Sequence, residues 1–280
     1  MDDVINNKYS VVMTVYWREN PDFLRVSMES ILCQTVPTDD FIIVCDGPLP
    51  KELDEVILSY AQNRPEITVI RRKVNGGAGA AAQTGLNACR HNLVMRLDSD
   101  DYSYPHRAER QLLEFSKEPD LAICGSFMAE FKESCDNVVQ VREVPCDMQS
   151  ILNFGRRRNP FNNITVMYRL DAVMAVGGYS DLRRCEDYEL FAKMLQQGFR
   201  AKNIPEILSC ARIDDGTLGR RASLDTTKGF IQLHWNLYKS GFASLVDFLV
   251  PSLLQIGYLL VPGPIRDSIY TKTMRKSGDQ

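Results

Sequence analysis

The chain has 280 residues, of which 44% are hydrophobic and 25% are charged, and its formal net charge is −3. This composition supplies enough apolar side chains for a full globular core and argues against disorder. The small negative charge is atypical of proteins that bind nucleic acid over a broad surface, so we predict no nucleic-acid partner. The first three residues include neither a basic nor an apolar segment, and no signal peptide is predicted.

Eight cysteines are spread along the chain without any C-x-x-C pair. Several lie within apolar runs, which is typical of buried thiols in a reducing compartment and not of disulfides or zinc ligands. The three histidines, His91, His106 and His234, are far apart in the sequence, so a histidine metal cluster is not expected.

The first part of the chain alternates short apolar runs with helical patterns. Continuous apolar runs predict buried strands at residues 10–16, 41–45, 67–70 and 92–97. Three helices are predicted between them: one opening at Pro21 with its apolar face at Phe23, Val26, Ile31 and Leu32, one through Leu53, Val56, Ile57 and Tyr60, and the alanine-rich segment 77–89. This alternation predicts an α/β fold with a mainly parallel central sheet covered by helices.

The second part of the chain is less regular. Strands are predicted at residues 121–126 and 164–168, and between them lies the basic loop 156–163, which is too polar for a core position. A further helix is predicted to begin at Glu186 and to end at Gly198, with its apolar face at Leu190, Phe191, Met194 and Leu195.

An acidic cluster with the sequence Asp-Ser-Asp-Asp occupies residues 98–101, directly after the strand at 92–97. In parallel sheets, ligands bind beyond the carboxyl ends of the strands, where Thr14, Tyr16 and Asp46 also lie. Carboxylate oxygens suit Mg²⁺ or Mn²⁺, which bind one or two carboxylates together with nucleotide phosphates. The sequence therefore predicts a metal and nucleotide site at this edge of the sheet. A polar turn followed by a helix cap is the alternative.

The segment 77–82 matches the G-x-G-x-x-A pattern of dinucleotide-binding folds, and Asp98 follows it by about 20 residues. This pattern keeps a nucleotide-dependent oxidoreductase open, with Asp98 as the ribose ligand. Two observations weigh against it: the glycines follow the third predicted strand and not the first, and Asp100 and Asp101 would have no role. Small side chains here also allow close packing of the helix on the sheet.

Two further groups of residues are candidates for a functional role. Glu186 and Asp187 begin a predicted helix, where a carboxylate can serve as a general base beside the metal or can simply cap the helix. The loop 156–163 places three arginines beside asparagines, a combination that can bind phosphate and sugar hydroxyls, although basic loops are often only solvated. We interpret Phe161 in this polar loop as a sign of a binding function.

An apolar run at residues 242–261 is long enough to span a membrane, but Asp247, Pro251 and Gln255 interrupt it. We therefore predict an interfacial helix, with a basic tail over 266–276 facing anionic lipid, and we expect Pro251 to break a spanning helix. A helix packed on the catalytic domain is the alternative.

At these residues the chain resembles a family 2 glycosyltransferase with the GT-A nucleotide-sugar-binding fold, over roughly residues 8–215. The strand at 10–16 resembles the first strand of the family, although Thr14 stands where proline is common. Asp46 resembles the end of the family's second strand, which contacts the uracil, and Cys45 replaces the first Asp of the usual pair.

Two more motifs carry the resemblance. The cluster 98–101 matches the D-x-D metal motif, and residues 186–190 match the E-D-x-x-L motif of the acceptor side. Residues 158–162 and 165–167 are similar to the bacterial galactosyltransferases of amylovoran and O-antigen synthesis.

The resemblance implies a role for each candidate residue. The nucleotide sugar would be bound by Thr14, Tyr16, Glu19, Asp46, Gly77, Asp98 and Ser99. The metal, Mn²⁺ or Mg²⁺, would be held by Asp98 and Asp100. The catalytic base would be Asp187, assisted by Glu186. The acceptor would be bound by Arg157, Arg158, Asn159 and Asn162.

The implied reaction is inverting transfer of a hexose, with galactose favoured, from a UDP-sugar to a polyprenyl-diphosphate-linked saccharide in bacterial O-antigen or capsule synthesis. The protein would be peripheral on the inner face of the cytoplasmic membrane. Its catalytic domain would span 1–220, with a nucleotide-binding half at 8–101 and an acceptor-binding half at 102–220, and a helical segment would follow at 221–280. Another hexose or an N-acetylhexosamine, another acceptor, and a non-catalytic UDP-binding protein remain alternatives.

Overall fold

A computed structural model of the protein describes residues 8–182, 184–213, 223–261 and 276–277. Within these residues, one sheet contains the strands β1 (Tyr9–Val15), β2 (Asp40–Cys45), β3 (Ile67–Arg71), β4 (Leu93–Asp98), β5 (Tyr102–Ser103), β6 (Leu121–Phe131), β7 (Val138–Arg142), β8 (Met167–Arg169), β9 (Arg200–Arg212) and β10 (Lys276–Ser277). The helices are α1 (Pro21–Leu32), α2 (Lys51–Ala61), α3 (Ala78–Leu86), α4 (Arg107–Lys117), α5 (Met148–Gly155), α6 (Leu170–Ala175), α7 (Glu186–Gln196), α8 (Leu224–Lys239) and α9 (Leu245–Leu260).

The strand order is β10-β7-β6-β8-β4-β1-β2-β3, with β9 beside β6 and paired with β5. Strand β1 pairs in parallel with β2 and β4, and β2 pairs in parallel with β3, so the first part of the chain forms the parallel sheet that its sequence predicts. Beyond β4 most strand pairs are antiparallel. Strand β8 lies between β4 and β6 and is antiparallel to both, and β7 is antiparallel to β6. The predicted α/β class is confirmed, and the complete sheet is mixed.

Helices cover both faces of the parallel strands. Val11 and Met13 of β1 are buried in one apolar cluster with Leu24 of α1. Val12, which lies between them, is buried in a second cluster with Phe191 of α7. Because side chains alternate along a strand, burial on both faces explains why β1 is a continuous apolar run.

Helix α1 begins at Pro21 after the cap Asn20, close to the prediction, but its buried face differs from the predicted one. Val26 was expected inside and is 39% exposed, whereas Ser27 is fully buried. The Ser27 hydroxyl donates to the Asp98 carbonyl at 2.8 Å, which gives this buried polar group its partner. An analysis of apolar spacing alone cannot find a helix face that includes such a serine.

The strand predicted at 164–168 is shorter than expected. Residues Asn163–Thr165 form a 3-10 turn instead, and β8 begins only at Met167. The Thr165 N–H donates to the Asn162 carbonyl at 2.8 Å, and this turn withdraws the residues before β8 from the sheet.

The apolar run near the C-terminus forms helix α9, which packs against α8. A capping box begins it, in which Ser244 and Asp247 each accept a hydrogen bond from the other's backbone N–H. The helix continues through Pro251, so the expectation that this residue breaks it is wrong. Proline removes one backbone hydrogen bond, and the buried Pro251 ring packs against the rest of the protein. Phe242 lies before the helix and packs in the core.

Among the described residues, no helix combines the length and the apolar character needed to cross a membrane. Arg266, Lys272 and Arg275 of the predicted basic tail lie outside the described residues, as does the predicted domain boundary at 220.

Candidate functional site

The carboxyl ends of β1, β2 and β4 meet at one edge of the sheet. Thr14 lies opposite Val44 in β2 and opposite Asp98 in β4. The Asp46 N–H donates to the Val15 carbonyl at 2.8 Å, which keeps the end of β2 against the end of β1. The predicted meeting of these three strand ends is therefore observed.

The acidic turn after β4 is held in one shape by Arg212, at the end of β9. The Arg212 N–H donates to the Asp101 carboxylate at 2.8 Å, and its guanidinium donates to the Asp100 carbonyl at 3.3 Å. The same guanidinium lies over the rings of Phe23 and Phe131, at 3.7 and 4.5 Å from their centroids. These cation–π contacts fix the arginine, and the arginine fixes the turn.

The carboxylates of the turn differ in environment. Asp101 is buried, and this burial, reinforced by the charges of Asp100 and Asp98, raises its pKa well above the usual value. Asp98 accepts a hydrogen bond from the buried Arg96 at 3.1 Å, so part of its charge is already compensated. Arg96 in turn donates to the Val12 carbonyl at 2.8 Å. Asp101 therefore belongs to the protein interior, while Asp98 and Asp100 are partly exposed.

The predicted donor-binding residues after β1 lie at this edge, but Ser99 does not present its side chain. Tyr16 is exposed, and its carbonyl accepts from the Glu19 N–H at 3.2 Å. Burial dominates the raised pKa of Asp101, and Glu19 is close enough to raise it further. Ser99 is 2% exposed, so its hydroxyl offers almost no surface to a ligand, contrary to the prediction.

Asp46 anchors the turn before α3 and does not present an open carboxylate. It is 3% exposed, it accepts from the N–H groups of Gly76 and Gly77, both at 2.9 Å, and it is ion-paired with Arg72. The Asp46 carboxylate is buried and already has these partners, so the predicted uridine contact through it is not open in this arrangement. The nucleotide contact of Gly77 stays a prediction, because its N–H is bonded to Asp46 but the residue is partly exposed with open space beside it. Gly77 has a φ of 91°, a conformation that favours glycine. Gly77 also begins the G-x-G-x-x-A segment that left a dinucleotide-dependent oxidoreductase as an alternative, and its N–H is bonded to Asp46.

Glu186 and Asp187 begin α7 and approach the acidic turn. Burial raises the pKa of both carboxyls, and the charge of Asp98 adds to each shift, which puts both within electrostatic reach of β4. The pKa of Glu186 rises to about 7, with Asp187 as the second cause after burial. Glu186 also lies against α3, because a Cβ added at Gly79 would be 3.1 Å from the Glu186 Cβ. The structure thus brings together the two acidic pairs that are far apart in sequence.

The basic loop 156–163 contacts both α7 and α9. The Asn159 amide donates to Asp187 Oδ2 at 2.8 Å. Arg157 is ion-paired with Asp247 of α9, and Arg158 lies at the surface. Among the predicted acceptor-binding residues, Asn159 thus has a side chain that reaches the candidate base.

Two other residues of this loop belong to the core. Asn162 is 1% exposed, and its amide donates to the Ser126 carbonyl at 2.8 Å, so the predicted acceptor contact is wrong. Phe161 is fully buried and packs against Phe191 with ring centroids 5.3 Å apart. Core packing therefore explains Phe161, and the second half of the loop is not too polar for the core.

The family model described as Glycosyl transferase family 2 matches residues 10–181, which include β1 to β4, the acidic turn and the basic loop. The chain belongs to glycosyl transferase family 2. The predicted family is thereby confirmed, and an oxidoreductase is set aside.

Relatives of this family 2 glycosyltransferase include bacterial polysaccharide enzymes. A UDP-Gal:alpha-D-GlcNAc-diphosphoundecaprenol beta-1,3-galactosyltransferase of Escherichia coli is 34% identical over 96% of this chain and 97% of its own length. The amylovoran biosynthesis glycosyltransferase AmsE of Erwinia amylovora is 30% identical over 94% of this chain and 98% of its own length. The predicted likeness to amylovoran and O-antigen enzymes is confirmed.

The fold also matches solved glycosyltransferase structures. The mannosyltransferase PcManGT from Pyrobaculum calidifontis, in complex with GDP-Man and Mn²⁺, superposes with a TM-score of 0.65 at 14% identity, covering 92% of this chain and 71% of that chain. This likeness confirms the predicted GT-A fold.

The acidic turn of this family 2 glycosyltransferase fits a divalent cation that is shared with a substrate. Among the described residues, no cluster of three or more His, Cys, Asp or Glu side chains is arranged to hold a metal. Mg²⁺ needs only one or two protein carboxylates, because water and substrate phosphates complete its coordination. Asp98 and Asp100 could supply these two, and their role as metal ligands stays a prediction.

Sequence reasoning missed two residues beside the candidate base. Burial raises the pKa of Asp187, and a hydrogen bond from the Tyr188 N–H and then the charge of Arg142 of β7 lower it, so the Arg142 guanidinium is close enough to act on this carboxyl. Arg142 also donates to the Asn159 carbonyl at 3.0 Å. Tyr179 is partly buried; desolvation is the main cause of its raised pKa, and Asp187 and Asp98 add to it. No local pattern marks either residue, because both reach the site only through tertiary folding.

Trp17 was also missed at the donor side. Its ring is half exposed next to Tyr16, directly after β1. An exposed aromatic ring offers a flat apolar surface on which a base can stack. The feature of the sequence that could have indicated Trp17 is the adjacent pair of aromatic residues, Tyr16 and Trp17, directly after the first strand.

Proposed function

We propose that the chain is an inverting glycosyltransferase that moves a hexose, with galactose favoured, from a UDP-sugar to a polyprenyl-diphosphate-linked saccharide in bacterial O-antigen or capsule synthesis. The observation that carries the proposal is the approach of two acidic pairs: α7 begins with Glu186 and Asp187 against α3, and the charge of Asp98 is close enough to raise the pKa of both carboxyls further. The 34% identity to the Escherichia coli galactosyltransferase, over nearly the whole of both chains, supports the donor and the acceptor.

On the donor side, the uridine would lie at the ends of β1 and β2, near Thr14, Tyr16 and Glu19. The diphosphate would lie at the acidic turn, where Asp98 and Asp100 would hold Mn²⁺ or Mg²⁺. When bound, such a cation neutralises the charge that develops on the departing UDP. The Arg96 contact keeps Asp98 oriented toward the strand ends.

On the acceptor side, Asp187 would remove the proton from the attacking sugar hydroxyl. Its pKa is raised mainly by burial, which makes it a stronger base than a surface aspartate. The hydroxyl oxygen forms its bond to the anomeric carbon from the face opposite UDP, and UDP leaves with the bonding electrons. The proton ends on Asp187, and the configuration at the anomeric carbon is inverted.

The proposed donor and acceptor residues divide the catalytic domain into two functional halves. Residues 8–101 would bind the donor, since the acidic turn closes that segment. Residues 102–220 would bind the acceptor through the loop at Asn159 and the acids at Glu186, and residues 221–280 would carry the membrane contact.

The membrane contact is assigned to one side of α9. With about 100° of rotation per residue, the exposed apolar side chains of α9 fall within one half of the helix circumference. These side chains are Leu245, Val246, Leu249, Val250, Leu253, Leu254, Ile256 and Leu260. The one charged residue of α9, Asp247, is buried on the opposite side with Pro251. We call this exposed half the apolar face of α9.

Aromatic and basic side chains border the apolar face. Trp235 and Tyr238 of α8 are partly exposed and form an aromatic cluster with Phe248 of α9. Lys239 lies 5.4 Å from the centroid of the Trp235 ring. Such rings and charges are favoured at the level of lipid headgroups, so an interfacial helix fits this surface. Peripheral binding would bring a lipid-linked acceptor close to the loop that contacts Asp187.

The test is a screen of UDP-sugars against a synthetic lipid-diphosphate saccharide, with the product identified by mass and its linkage by NMR. We expect the acceptor to gain one hexose, with UDP-galactose as the best donor. Gain of a different hexose or of an N-acetylhexosamine would correct the sugar but not the reaction. Binding of UDP without transfer to any acceptor would contradict the proposal and favour a non-catalytic UDP-binding protein.

A further inference from the structure

The side chain of Asn159 is fixed in orientation by hydrogen bonds at both ends of its amide. The oxygen accepts from the Phe161 N–H at 3.2 Å, and the nitrogen donates to Asp187 Oδ2 at 2.8 Å. Turning the amide over would place its oxygen against the carboxylate and its NH₂ group against another donor. Both contacts therefore require the same orientation, with the donor group facing Asp187.

The backbone around Asn159 is tied to α7 and β7. Phe161 packs against Phe191, which lies one helical turn after Asp187 on the same side of α7. The Asn159 carbonyl accepts from Arg142 at 3.0 Å. The loop is thus attached to α7 at two points and to β7 at a third, so Asn159 keeps its distance from Asp187.

We propose that Asn159 is a positioning residue that holds one oxygen of Asp187 and leaves the other oxygen to take the acceptor proton. This inference rests on the proposed function, because it assigns to Asp187 the role of base. It replaces the acceptor contact that the sequence predicts for Asn159. The amide nitrogen that would have bound a sugar hydroxyl is bonded to the base instead.

The charged and titratable groups around Asp187 explain why the hydrogen bond from Asn159 affects the ionised form of this carboxyl. The charge of Arg142 acts on it from β7, that of Asp98 from β4 and that of Glu186 from its own helix, Tyr179 lies within electrostatic reach in the segment before α7, and the Tyr188 N–H also donates to the Asp187 carboxyl. Two of these groups are acids, so a neutral amide donor stabilises the ionised base without adding a charge. A hydrogen bond to a buried ionised group is stronger than one between neutral groups.

The test compares Asn159→Asp and Asn159→Ala with the wild-type enzyme. Asn159→Asp has nearly the same shape but loses the donor and adds a second carboxylate beside Asp187. We expect kcat to fall about 10- to 100-fold in Asn159→Ala, with the donor KM nearly unchanged. In Asn159→Asp, two neighbouring carboxylates share a proton, so the ratio of its kcat to the wild-type kcat should fall from about pH 6 to about pH 9.

The matched control is Asn153→Asp, an exposed asparagine of α5 that precedes the same loop. It should keep wild-type kcat at every pH. Circular dichroism and Tm of all variants check that the fold is retained. Wild-type kcat in both Asn159 variants, or a loss confined to the donor KM, would overturn the inference while leaving the proposed function standing. Absence of transfer by the wild-type enzyme would instead contradict the proposed function.

Discussion

The Nδ2 atom of Asn159 lies 2.8 Å from Oδ2 of Asp187, which joins the loop before β8 to the first turn of α7. Two residues earlier in the same loop, Arg157 is ion-paired with Asp247 of α9. One short loop therefore contacts both the candidate base and the helix that carries the apolar face. If the lipid of an acceptor binds at α9, its saccharide would lie along this loop and could reach Asp187.

The first prediction concerns the identity of the base. Asp187→Asn keeps the volume of the side chain but cannot accept a proton, so turnover should fall by about 100-fold or more. Binding of UDP, measured by calorimetry, should survive. Glu186→Gln is the matched variant, one residue away in the same turn, and should lose much less activity. If Glu186→Gln is crippled and Asp187→Asn is not, the base is Glu186.

The second prediction concerns the pH dependence of stability. The pKa of Glu186 rises from 4.5 to about 7 on folding, chiefly because of burial, and its Oε2 has no hydrogen-bond partner among the described residues. The folded state therefore holds this proton more tightly than the unfolded state does. The Glu186 contribution to the free energy of unfolding should fall as the pH rises from about 4.5 to about 7, by on the order of 3 kcal/mol.

Glu186→Gln should remove this part of the pH dependence, so the variant should be more stable than the wild type at pH 8 and close to it at pH 4. Urea unfolding at a series of pH values measures the difference. Equal loss of stability with pH in the variant and the wild type would show that Glu186 does not carry the shift.

The third prediction concerns the metal. Asp100→Ala should abolish metal-dependent transfer and leave the fold intact, since Asp100 lies at the turn and not in the core. Asp136→Ala, an exposed aspartate of the β6–β7 loop, is the control and should keep full activity. Asp98→Ala should lose activity too and should have a lower Tm, because the buried Arg96 keeps its hydrogen bond to the Val12 carbonyl but loses the negative charge of its ion-pair partner. Full activity of Asp100→Ala, or of the wild type in EDTA, would contradict metal dependence.

The fourth prediction concerns the contact between α3 and α7. An alanine Cβ at position 79 would lie 3.1 Å from the Glu186 Cβ and 3.2 Å from the Ser180 carbonyl oxygen. Gly79→Ala must therefore displace the start of α7 by a few tenths of an ångström, and kcat should fall, though by less than about 100-fold. Gly257→Ala meets nothing within 4 Å and should keep wild-type kcat. Unchanged kcat in Gly79→Ala would show that α7 tolerates the shift.

The fifth prediction concerns the membrane. The wild-type protein should co-sediment with anionic vesicles and be released by high salt, because basic side chains contribute to binding. Replacing Leu253 and Leu254 together by glutamine should weaken vesicle binding by at least about tenfold, since two apolar side chains lose their lipid contact. Leu58→Gln, at an exposed leucine of α2, is the control. Unaltered binding of the double variant would exclude the apolar face. Dimerisation through this face, seen by light scattering without vesicles, would identify a second copy as its partner.

The elements that could be predicted from sequence are those whose residue pattern has a single physical cause, such as burial in the core. Strand β1 is a continuous apolar run because both of its faces are buried, and its end could be placed at the ligand edge from the parallel topology alone. Helix α1 shows the limit of the method. Ser27 is buried because its hydroxyl bonds the Asp98 carbonyl, and that partner is 71 residues away.

The site residues show the same limit. Asn159 and Asn162 lie in one polar loop and are chemically identical, yet one contacts the base and the other bonds a strand in the core. Asp46 is an acidic strand end in the sequence, but the glycine turn and Arg72 occupy its carboxylate. Which partner a polar side chain takes depends on tertiary packing, and no local pattern encodes it.

The central claim is that Asp187 activates an acceptor hydroxyl for a single displacement of UDP. The most direct measurement is the anomeric configuration of the sugar in the product, read by NMR after transfer from UDP-galactose, whose sugar is α-linked. We expect a β-linked galactose on the lipid-diphosphate saccharide. An α-linked product would contradict it.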